Sequence, residues 1–535
     1  MAGENSRQLA KGALILTAAS LFVKILSAVY RVPFQNIVGD KGFYVYQQIY
    51  PIYGIAVALS IYGFPVVISK LLVESGGNSR RDGRDAIIQA SFVILLAAGT
   101  SLFALLFLGA PAVAFLMGDE DLAPLIKVIS FIFLLLPFLS VWRGYFQSRG
   151  HMGPTAASQV AEQAVRVAAI LLLSYWLIHS GRSLYAAGAG ALAGSIIGGC
   201  AGLALLFRFA MKERLVRPLL YPPASLGQYR QIGKILLFQG LAVCLSNLLL
   251  LFFQLTDSFQ IYSLLVKSGL SPDDAKALKG VFDRGQPLIQ LGTVAATSIS
   301  LTLVPAVSAL LLKGSVAELE TKAKTALKVS AGVGAAAALG LAMIIKPVNI
   351  MLFENESGSG VLGVLAFSIF FASVILTGTG ILQGLGHVFA PARYMAAGLA
   401  VKYVCNLLFI PSWGTAGAAA ATIAGLAVTA LLISRRLESY FSQKLISRKE
   451  WFGIAKAAAV MAGVLLIWGG LIVPLGSGRA WSSFAALGGV AAGGLSYIYM
   501  LVREKWVGEE ELAKIPLGKM AARLSANRTD RRRDS

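Results

Sequence analysis

The sequence predicts an all-α integral membrane protein with about fourteen transmembrane helices, and three observations lead to this class. Of the 535 residues, 56% are hydrophobic and only 14% are charged, whereas a soluble chain carries about a quarter charged residues. The apolar residues form long segments, and about 20 such residues suffice to cross a bilayer. The basic residues concentrate in every second gap between these segments.

Each predicted span is an apolar segment with few charges. Fourteen segments meet this description, at 11–36, 49–73, 86–117, 122–147, 155–180, 184–210, 231–256, 284–312, 325–351, 360–386, 391–412, 414–436, 452–475 and 480–503. In the sixth of them, Gly190, Gly194 and Gly198 recur every four residues. This spacing places a smooth stripe on one helix face, which predicts close packing against a neighbouring helix.

The distribution of Lys and Arg predicts the orientation of the chain. The gaps on the side of the N-terminus, together with the span ends that border them, hold 32 basic residues, and the gaps on the other side hold 6. Two of the latter gaps are acidic, at Gly118–Asp121 and at Glu354–Glu356. Because Lys and Arg are enriched in cytoplasmic loops, we expect both termini in the cytoplasm and a multi-pass protein of the cytoplasmic membrane.

Composition and motifs exclude several other classes. The net charge of +21 lies in short loops on one membrane face, so we expect anionic membrane lipids rather than nucleic acid as partners. The three cysteines lie within apolar segments, and no disulfide framework is predicted. The sequence contains no nucleophile motif, metal-ligand spacing or phosphate-binding glycine loop. We therefore expect neither an enzyme, nor a metal site, nor a cofactor.

An internal repeat divides the chain. At a shift of 236 residues, similar residues recur in two short turns and the spans that follow them, at Gln147 and Gln383, Gly150 and Gly386, His151 and His387, and Arg166 and Lys402. Each repeat holds six spans, an even number, so both insert with the same orientation and form pseudo-symmetric lobes. The predicted organisation is an N-terminal lobe at 8–212, a cytoplasmic linker at 213–230, a C-terminal lobe at 231–440, two appended spans at 450–504 and a basic cytoplasmic tail at 505–535.

Charged residues inside the spans are the first candidates for a functional site, because an Arg or Lys at the bilayer centre costs about 2.5–3.5 kcal/mol. Arg31 and Arg284 come from different halves, and each stands near a proline. Arg143 lies about one turn from the cytoplasmic end of its span, so snorkelling to the headgroups is an alternative for it. Arg166 follows Glu162 by four residues, so the two share a helix face and are candidates for an ion pair or for a ligand site.

Basic groups outnumber acidic groups in these spans, which favours an anionic substrate. A guanidinium group offers two parallel donors that match phosphate oxygens. Gln254 and Gln286 add hydrogen-bonding capacity, although such residues more often connect helices than contact a ligand.

Several segments resemble the polysaccharide-biosynthesis branch of the multidrug/oligosaccharidyl-lipid/polysaccharide exporter superfamily, in particular its stage V sporulation protein B-like and lipid II flippase members. The segments that carry the resemblance are KGALILT at 11–17, Arg31 with GDKG at 39–42, GFPVVISK at 63–70, WRGYFQ at 142–147, MGPTAASQV at 152–160 with Glu162, Gln163 and Arg166, DRGQP at 283–287, TSIS at 297–300 and LVPAVS at 303–308. The resemblance covers roughly residues 8–505, and these motifs are specific only in combination.

The resemblance implies a fold of fourteen spans with two six-helix lobes around a basic cavity. It also implies an alternating-access flippase for undecaprenyl-pyrophosphate-linked sugars. Arg284 then corresponds to a cavity arginine, Lys24 to another basic position on the first span, and Arg31 to a position of the sporulation branch. The second span departs from the pattern of flippases of Gram-negative bacteria, because QIYPIY at 48–53 contains no basic residue. Some relatives hold sodium with a carboxylate on the eleventh span, where this chain has Lys402 and Asn406.

The sequence therefore predicts a flippase for a lipid-linked oligosaccharide, with the peptidoglycan precursor lipid II as the expected type of substrate. Its pyrophosphate would be held by Arg31, Arg143 and Arg284, with Lys24, Arg166, Glu162, Gln286 and Gln254 around it. Two alternatives stay open: an exporter of another envelope polysaccharide or of a small molecule, and a non-transporting scaffold that binds cell-wall synthesis enzymes.

Overall fold

The fold of the described residues is all-α, as predicted. The computed structural model describes residues 2–75, 81–213, 215, 225–441, 444–504 and 506. Across these ranges the chain forms nineteen α-helices, two 3₁₀ turns and one π-helical segment, with no β-strand. Most of the predicted linker, and all of the predicted tail except Trp506, lie outside the described residues.

The helices follow one another with short connections. The first ten are α1 (Ala2–Val29), α2 (Arg31–Ala58), α3 (Phe64–Ser75), α4 (Arg81–Met117), α5 (Ala123–Ser130), α6 (Ile132–Ser148), α7 (Met152–His179), α8 (Leu184–Lys212), α9 (Leu226–Lys267) and α10 (Pro272–Asp283). The others are α11 (Gly285–Gly292), α12 (Val294–Leu312), α13 (Val316–Met343), α14 (Ile345–Phe353), α15 (Ser359–Ala366), α16 (Ser368–Gly384), α17 (Ala390–Phe441), α18 (Arg448–Ile472) and α19 (Gly478–Arg503).

The described chain has 12 helical segments that are long and apolar enough to cross a membrane. Two of them are far longer than one crossing requires, Ile15–Ser75 with 61 residues and Ala390–Phe441 with 52. The first covers most of the predicted span 11–36 and all of 49–73, and the second contains 391–412 and 414–436. Each segment is broken at a glycine with positive φ, at Gly39 (69°) and at Gly414 (55°). A side chain is strained in that region of φ, so glycine permits the chain to change direction there. The count of fourteen and the cytoplasmic termini stay predictions.

The chain divides into two compact units. The described residues of Met1–Val294 and Gly386–Thr429 form the first, and those of Ala295–Leu385 and Ala430–Ser535 form the second. The two appended spans lie in the second unit as α18 and α19, where the Trp468 indole N–H donates to the Ala485 carbonyl at 2.9 Å. All eight predicted site residues lie in the first unit.

The glycine stripe of α8 packs closely on α7, as predicted. A Cβ atom on Gly194 would lie 2.8 Å from the Ile170 backbone nitrogen, and one on Gly198 would lie 2.5 Å from the Arg166 Cβ atom. The absence of side chains at these positions lets the two helix backbones approach. This contact positions Arg166 within the first unit.

Candidate functional site

Four arginines lie fully buried in the first unit. Arg31, Arg143, Arg166 and Arg284 each expose 1% of their surface or less. Snorkelling is therefore wrong for Arg143, whose guanidinium group faces the interior of the unit. A buried guanidinium needs hydrogen-bond acceptors and a counter-charge. The four differ in how these needs are met.

Arg143 on α6 is paired with Glu162 on α7. The Arg143 Nη2 atom donates to Glu162 Oε2 at 2.6 Å, and Nε donates to Ser158 Oγ at 3.2 Å. Its Nη1 atom donates to the Ser60 carbonyl at 3.3 Å. Ser60 lies in the π-helical segment Leu59–Gly63, whose wider turn alters the usual carbonyl pairing. This arginine is thus neutralised by Glu162 and held by two other elements of the fold, α7 and the π-helical segment.

Arg284 lies between α10 and α11 and is paired with Asp40, which follows the Gly39 break in α2. The Arg284 Nη2 atom donates to both carboxylate oxygens, at 2.6 and 2.7 Å, and Nε donates to Asp40 Oδ1 at 2.9 Å. The Gln35 amide also donates to this carboxylate, at 2.9 Å. Arg284 therefore already holds a bidentate anion, which is supplied by the chain itself.

Arg166 on α7 does not pair with Glu162, so that candidate ion pair is wrong. Four residues of spacing bring the two side chains to one helix face, but the nearer partner of Glu162 is Arg143 on another helix. Arg166 Nη2 donates to the Tyr30 and Tyr46 hydroxyls at 2.8 and 3.0 Å. Its Nε and Nη1 atoms donate to Ser195 Oγ and Gln163 Oε1 at 3.2 and 3.1 Å.

Arg31, at the start of α2, lies beside the same tyrosines. Its Cζ atom is 4.1 Å from the centre of the Tyr50 ring, and the Cζ atom of Arg166 is 5.8 Å from that ring. The Arg31 Nε and Nη1 atoms are buried without a hydrogen-bond partner among the described residues. We call this group the arginine–tyrosine cluster, and its members are Arg31, Arg166, Tyr30, Tyr46, Tyr50 and Tyr53.

The arginine–tyrosine cluster carries positive charge without a carboxylate. Within the described ranges, neither Arg31 nor Arg166 forms a salt bridge. Aromatic faces and hydroxyl oxygens stabilise a guanidinium group in part, and the Arg166 Cζ atom lies 4.2 Å from the Tyr53 ring centre. They do not cancel its charge. The arrangement is suited to an anion that accepts several hydrogen bonds, such as a phosphate group.

The remaining predicted site residues fall into two places. The Gln254 amide on α9 donates to Gln286 Oε1 on α11 at 2.8 Å, so these two residues connect helices. Lys24 on α1 is half-buried, and its backbone carbonyl accepts a hydrogen bond from Gln290 at 3.2 Å. Glu162 acts as the partner of Arg143, as described above.

Sequence reasoning missed the tyrosines and Asp40. A signal for the tyrosines was present, because Tyr46, Tyr50 and Tyr53 follow each other by four and three residues and thus share one face of α2. Asp40 had no such signal. Its partner Arg284 is 244 residues away in sequence, and only the fold brings them together.

A second buried charged group lies around Lys402 on α17. The Lys402 ammonium donates to Asp257 Oδ2 on α9 at 2.7 Å and to Thr422 Oγ1 at 2.9 Å. The Asn406 amide donates to Gln260 Oε1 at 2.9 Å. The sodium site that the resemblance implies for some relatives does not fit these residues, because the ammonium group already contacts the carboxylate and hydroxyl oxygens that would bind the ion.

Comparisons with known proteins agree with this architecture. Residues 9–311 match the family described as polysaccharide biosynthesis protein. The uncharacterized membrane protein YabM of Bacillus subtilis (strain 168) is 42% identical over 528 residues, with 97% of each chain covered. The lipid II flippase MurJ of that organism is 24% identical, with 92% of this chain and 95% of MurJ covered. Its stage V sporulation protein B is 25% identical, with 95% and 97% covered.

Two solved structures share the fold. The lipid II flippase MurJ in an inward closed conformation aligns with a TM-score of 0.66 at 13% identity, covering 91% of this chain and 98% of that chain. An inward-facing multidrug resistance MATE family transporter of the MOP superfamily aligns with a TM-score of 0.64 at 15% identity, covering 80% and 98%. The predicted resemblance and the helical membrane class are confirmed.

Proposed function

Because this chain belongs to the polysaccharide biosynthesis protein family, we propose that it is a flippase for a saccharide precursor linked to undecaprenyl pyrophosphate, of the lipid II type. Transport proceeds by alternating access across the cytoplasmic membrane. The chain is a multi-pass membrane protein, and the relatives with a named activity are transporters or flippases rather than enzymes.

The arginine–tyrosine cluster carries this proposal. Arg31 and Arg166 are buried guanidinium groups that form no salt bridge with a carboxylate among the described residues, and two donor atoms of Arg31 have no acceptor there. A pyrophosphate supplies both the missing charge and the missing acceptors. The substrate phosphate therefore binds Arg31 and Arg166, and the tyrosine hydroxyls of the cluster complete its contacts.

The other predicted residues have different roles in this proposal. Arg143 and Arg284 already hold Glu162 and Asp40, so they shape the site instead of receiving the pyrophosphate. Lys24, Gln254 and Gln286 contact the sugars when the substrate is bound. The isoprenoid chain stays in the lipid, where its apolar surface costs nothing to accommodate.

The test is rescue of cells that are depleted of their lipid II flippase. The native chain should restore growth and the exposure of lipid II on the outer face, measured by cleavage with an externally added lipid II-degrading enzyme. Arg31→Gln and Arg166→Gln should abolish both while the protein remains in the membrane. The matched control is Arg182→Gln, since Arg182 is exposed and should be dispensable.

Each outcome separates the candidate functions. Rescue by the native chain and by Arg31→Gln alike would overturn the role of the cluster. Failure of the native chain, present at normal level in the membrane, would overturn the lipid II type of substrate. Another envelope polysaccharide or a scaffold for wall-synthesis enzymes would then explain the family membership.

A further inference from the structure

The group around Lys402 places a buried ammonium group among side-chain oxygen atoms. Lys402, Asp257 and Asn406 are essentially fully buried in the first unit, at 2% exposure or less. The ammonium group contacts one carboxylate oxygen of α9 and one hydroxyl oxygen further along α17, at 2.7 and 2.9 Å. The Asn406 Oδ1 atom is buried and has no hydrogen-bond donor among the described residues.

We propose that Lys402 is a tethered cation, which occupies a site whose oxygens would otherwise bind a free monovalent metal ion. The Asp257 carboxylate, Thr422 hydroxyl and Asn406 carbonyl supply hard oxygen ligands from three positions of the fold. Hard cations are bound by oxygen ligands, and membrane transporters bind sodium through oxygen atoms in the protein interior. Here a covalently attached ammonium group satisfies them, so a metal ion would meet a like charge at contact distance.

The charged groups around Lys402 sum to no net charge. Lys402 and Asp257 cancel each other in charge, and on α10 the buried pair of Lys279 and Asp283 is likewise neutral. Both members of that pair act electrostatically on Lys402. The Lys402 Nζ atom also lies 5.0 Å from the centre of the Phe253 ring. Among the described residues, these two pairs leave no unpaired carboxylate for a second cation to neutralise.

Tethering has a consequence for function. The break at Gly414 folds the second half of α17 back so that Thr422 meets the Lys402 ammonium, which is bonded to α9 as well. A free ion in this place could leave the site and so couple its gradient to a conformational change. An ammonium group on a side chain cannot leave. Activity of the native chain should therefore be independent of sodium and potassium, whatever its substrate is.

The experiment measures binding of radioactive sodium to the purified full chain in detergent. The native protein should bind none above background. Lys402→Ala removes the ammonium group and leaves its oxygens, so it should bind about one ion per chain in a saturable manner, with choline as a non-competing salt. Asp257→Asn in the Lys402→Ala background should abolish that binding. Thermal unfolding of Lys402→Ala should be delayed by sodium, because a ligand at ten times its dissociation constant raises the ratio of folded to unfolded protein about 11-fold.

Two results of the binding experiment would overturn the proposal. One is saturable sodium binding by the native protein, and the other is a folded Lys402→Ala protein that ignores sodium in both measurements. If the Lys402→Ala protein can be obtained folded only when the cells or the buffers contain sodium, the proposal is supported. If the variant cannot be obtained folded with or without sodium, transport by the native chain in vesicles is measured instead. A change in the transport rate on replacing all sodium and potassium by choline refutes tethering. Because sodium binding does not depend on the saccharide, failure here is distinguishable from failure of the flippase proposal.

Discussion

Glu162 accepts a hydrogen bond from Arg143 Nη2 at 2.6 Å, although Arg166 lies one turn further along the same helix. The four buried arginines fall into two classes according to the kind of side chain that each one contacts. Arg143 and Arg284 are neutralised by carboxylates, while Arg31 and Arg166 face tyrosines. The positive charge available to an anionic substrate is therefore concentrated in one place.

The Arg143–Glu162 pair should stabilise the first unit strongly. Removing either partner of a buried ion pair leaves an uncompensated charge and costs about 3–5 kcal/mol. We expect Arg143→Gln and Glu162→Gln each to lower the thermal stability of the purified protein, and the double variant to lose less than the two single losses combined. The exposed pair of Lys70 and Glu74 is the control and should show no coupling. Additive losses at Arg143 and Glu162 would contradict the pairing.

The hydroxyls of Tyr30 and Tyr46 should contribute to transport through Arg166. Each accepts a hydrogen bond from Arg166 Nη2, and a hydrogen bond to a charged group contributes about 1.5–3 kcal/mol. Tyr30→Phe and Tyr46→Phe should reduce the transport rate about 10-fold or more while the protein still reaches the membrane. Tyr175→Phe, at an exposed tyrosine, should transport at the native rate. Native rates in both cluster variants would exclude a role for the hydroxyls.

The glycine stripe of α8 should not tolerate a methyl group, because α7 packs directly against it. A Cβ atom on Gly198 would press on the Arg166 Cβ atom and on the Glu162 carbonyl, at 2.5 and 2.6 Å. Gly198→Ala should therefore destabilise the protein by about 1–3 kcal/mol and also impair transport, because it displaces Arg166. Gly109→Ala on α4 meets no atom within 4 Å and should leave thermal stability and transport at native levels. Equal thermal stability and transport in the two variants would show that α7 and α8 can move apart at no cost in free energy.

Asp40 and Asp273 both pair with a basic residue near the Gly39 break, but only Asp40 should matter. Asp40→Asn leaves the buried Arg284 without its counter-charge, for which we expect a loss of about 3–5 kcal/mol in thermal unfolding. Asp273 and Lys41 form an exposed pair, and exposed pairs contribute little. Asp273→Asn should therefore unfold like the native protein.

The pH dependence of the Asp273 pair has a definite sign. The hydrogen bond from the Lys41 ammonium lowers the pKa of the Asp273 carboxyl. Any contribution of this pair is therefore present at neutral pH and is lost as the pH falls through the lowered pKa. A difference between Asp273→Asn and the native protein that grows on acidification would contradict this sign.

The sequence by itself determined the membrane class, the helical fold and the family, because these depend on the length of apolar segments and on the placement of loop charges. It also predicted the close packing of the Gly194 stripe. Local spacing carries such information, since residues three or four apart on a helix share a face.

Only the tertiary structure decided which buried charged groups pair with one another. The spacing along α7 offers Glu162 only Arg166 as a partner. Its actual partner, Arg143, lies on α6, whose position no spacing along α7 reveals. Asp40 meets Arg284, and Asp257 meets Lys402, across 244 and 145 residues of chain. In a low-dielectric interior, the nearest opposite charge outweighs every more distant one. The partner of Arg143 and that of Arg284 are therefore set by contacts that form only when distant helices pack.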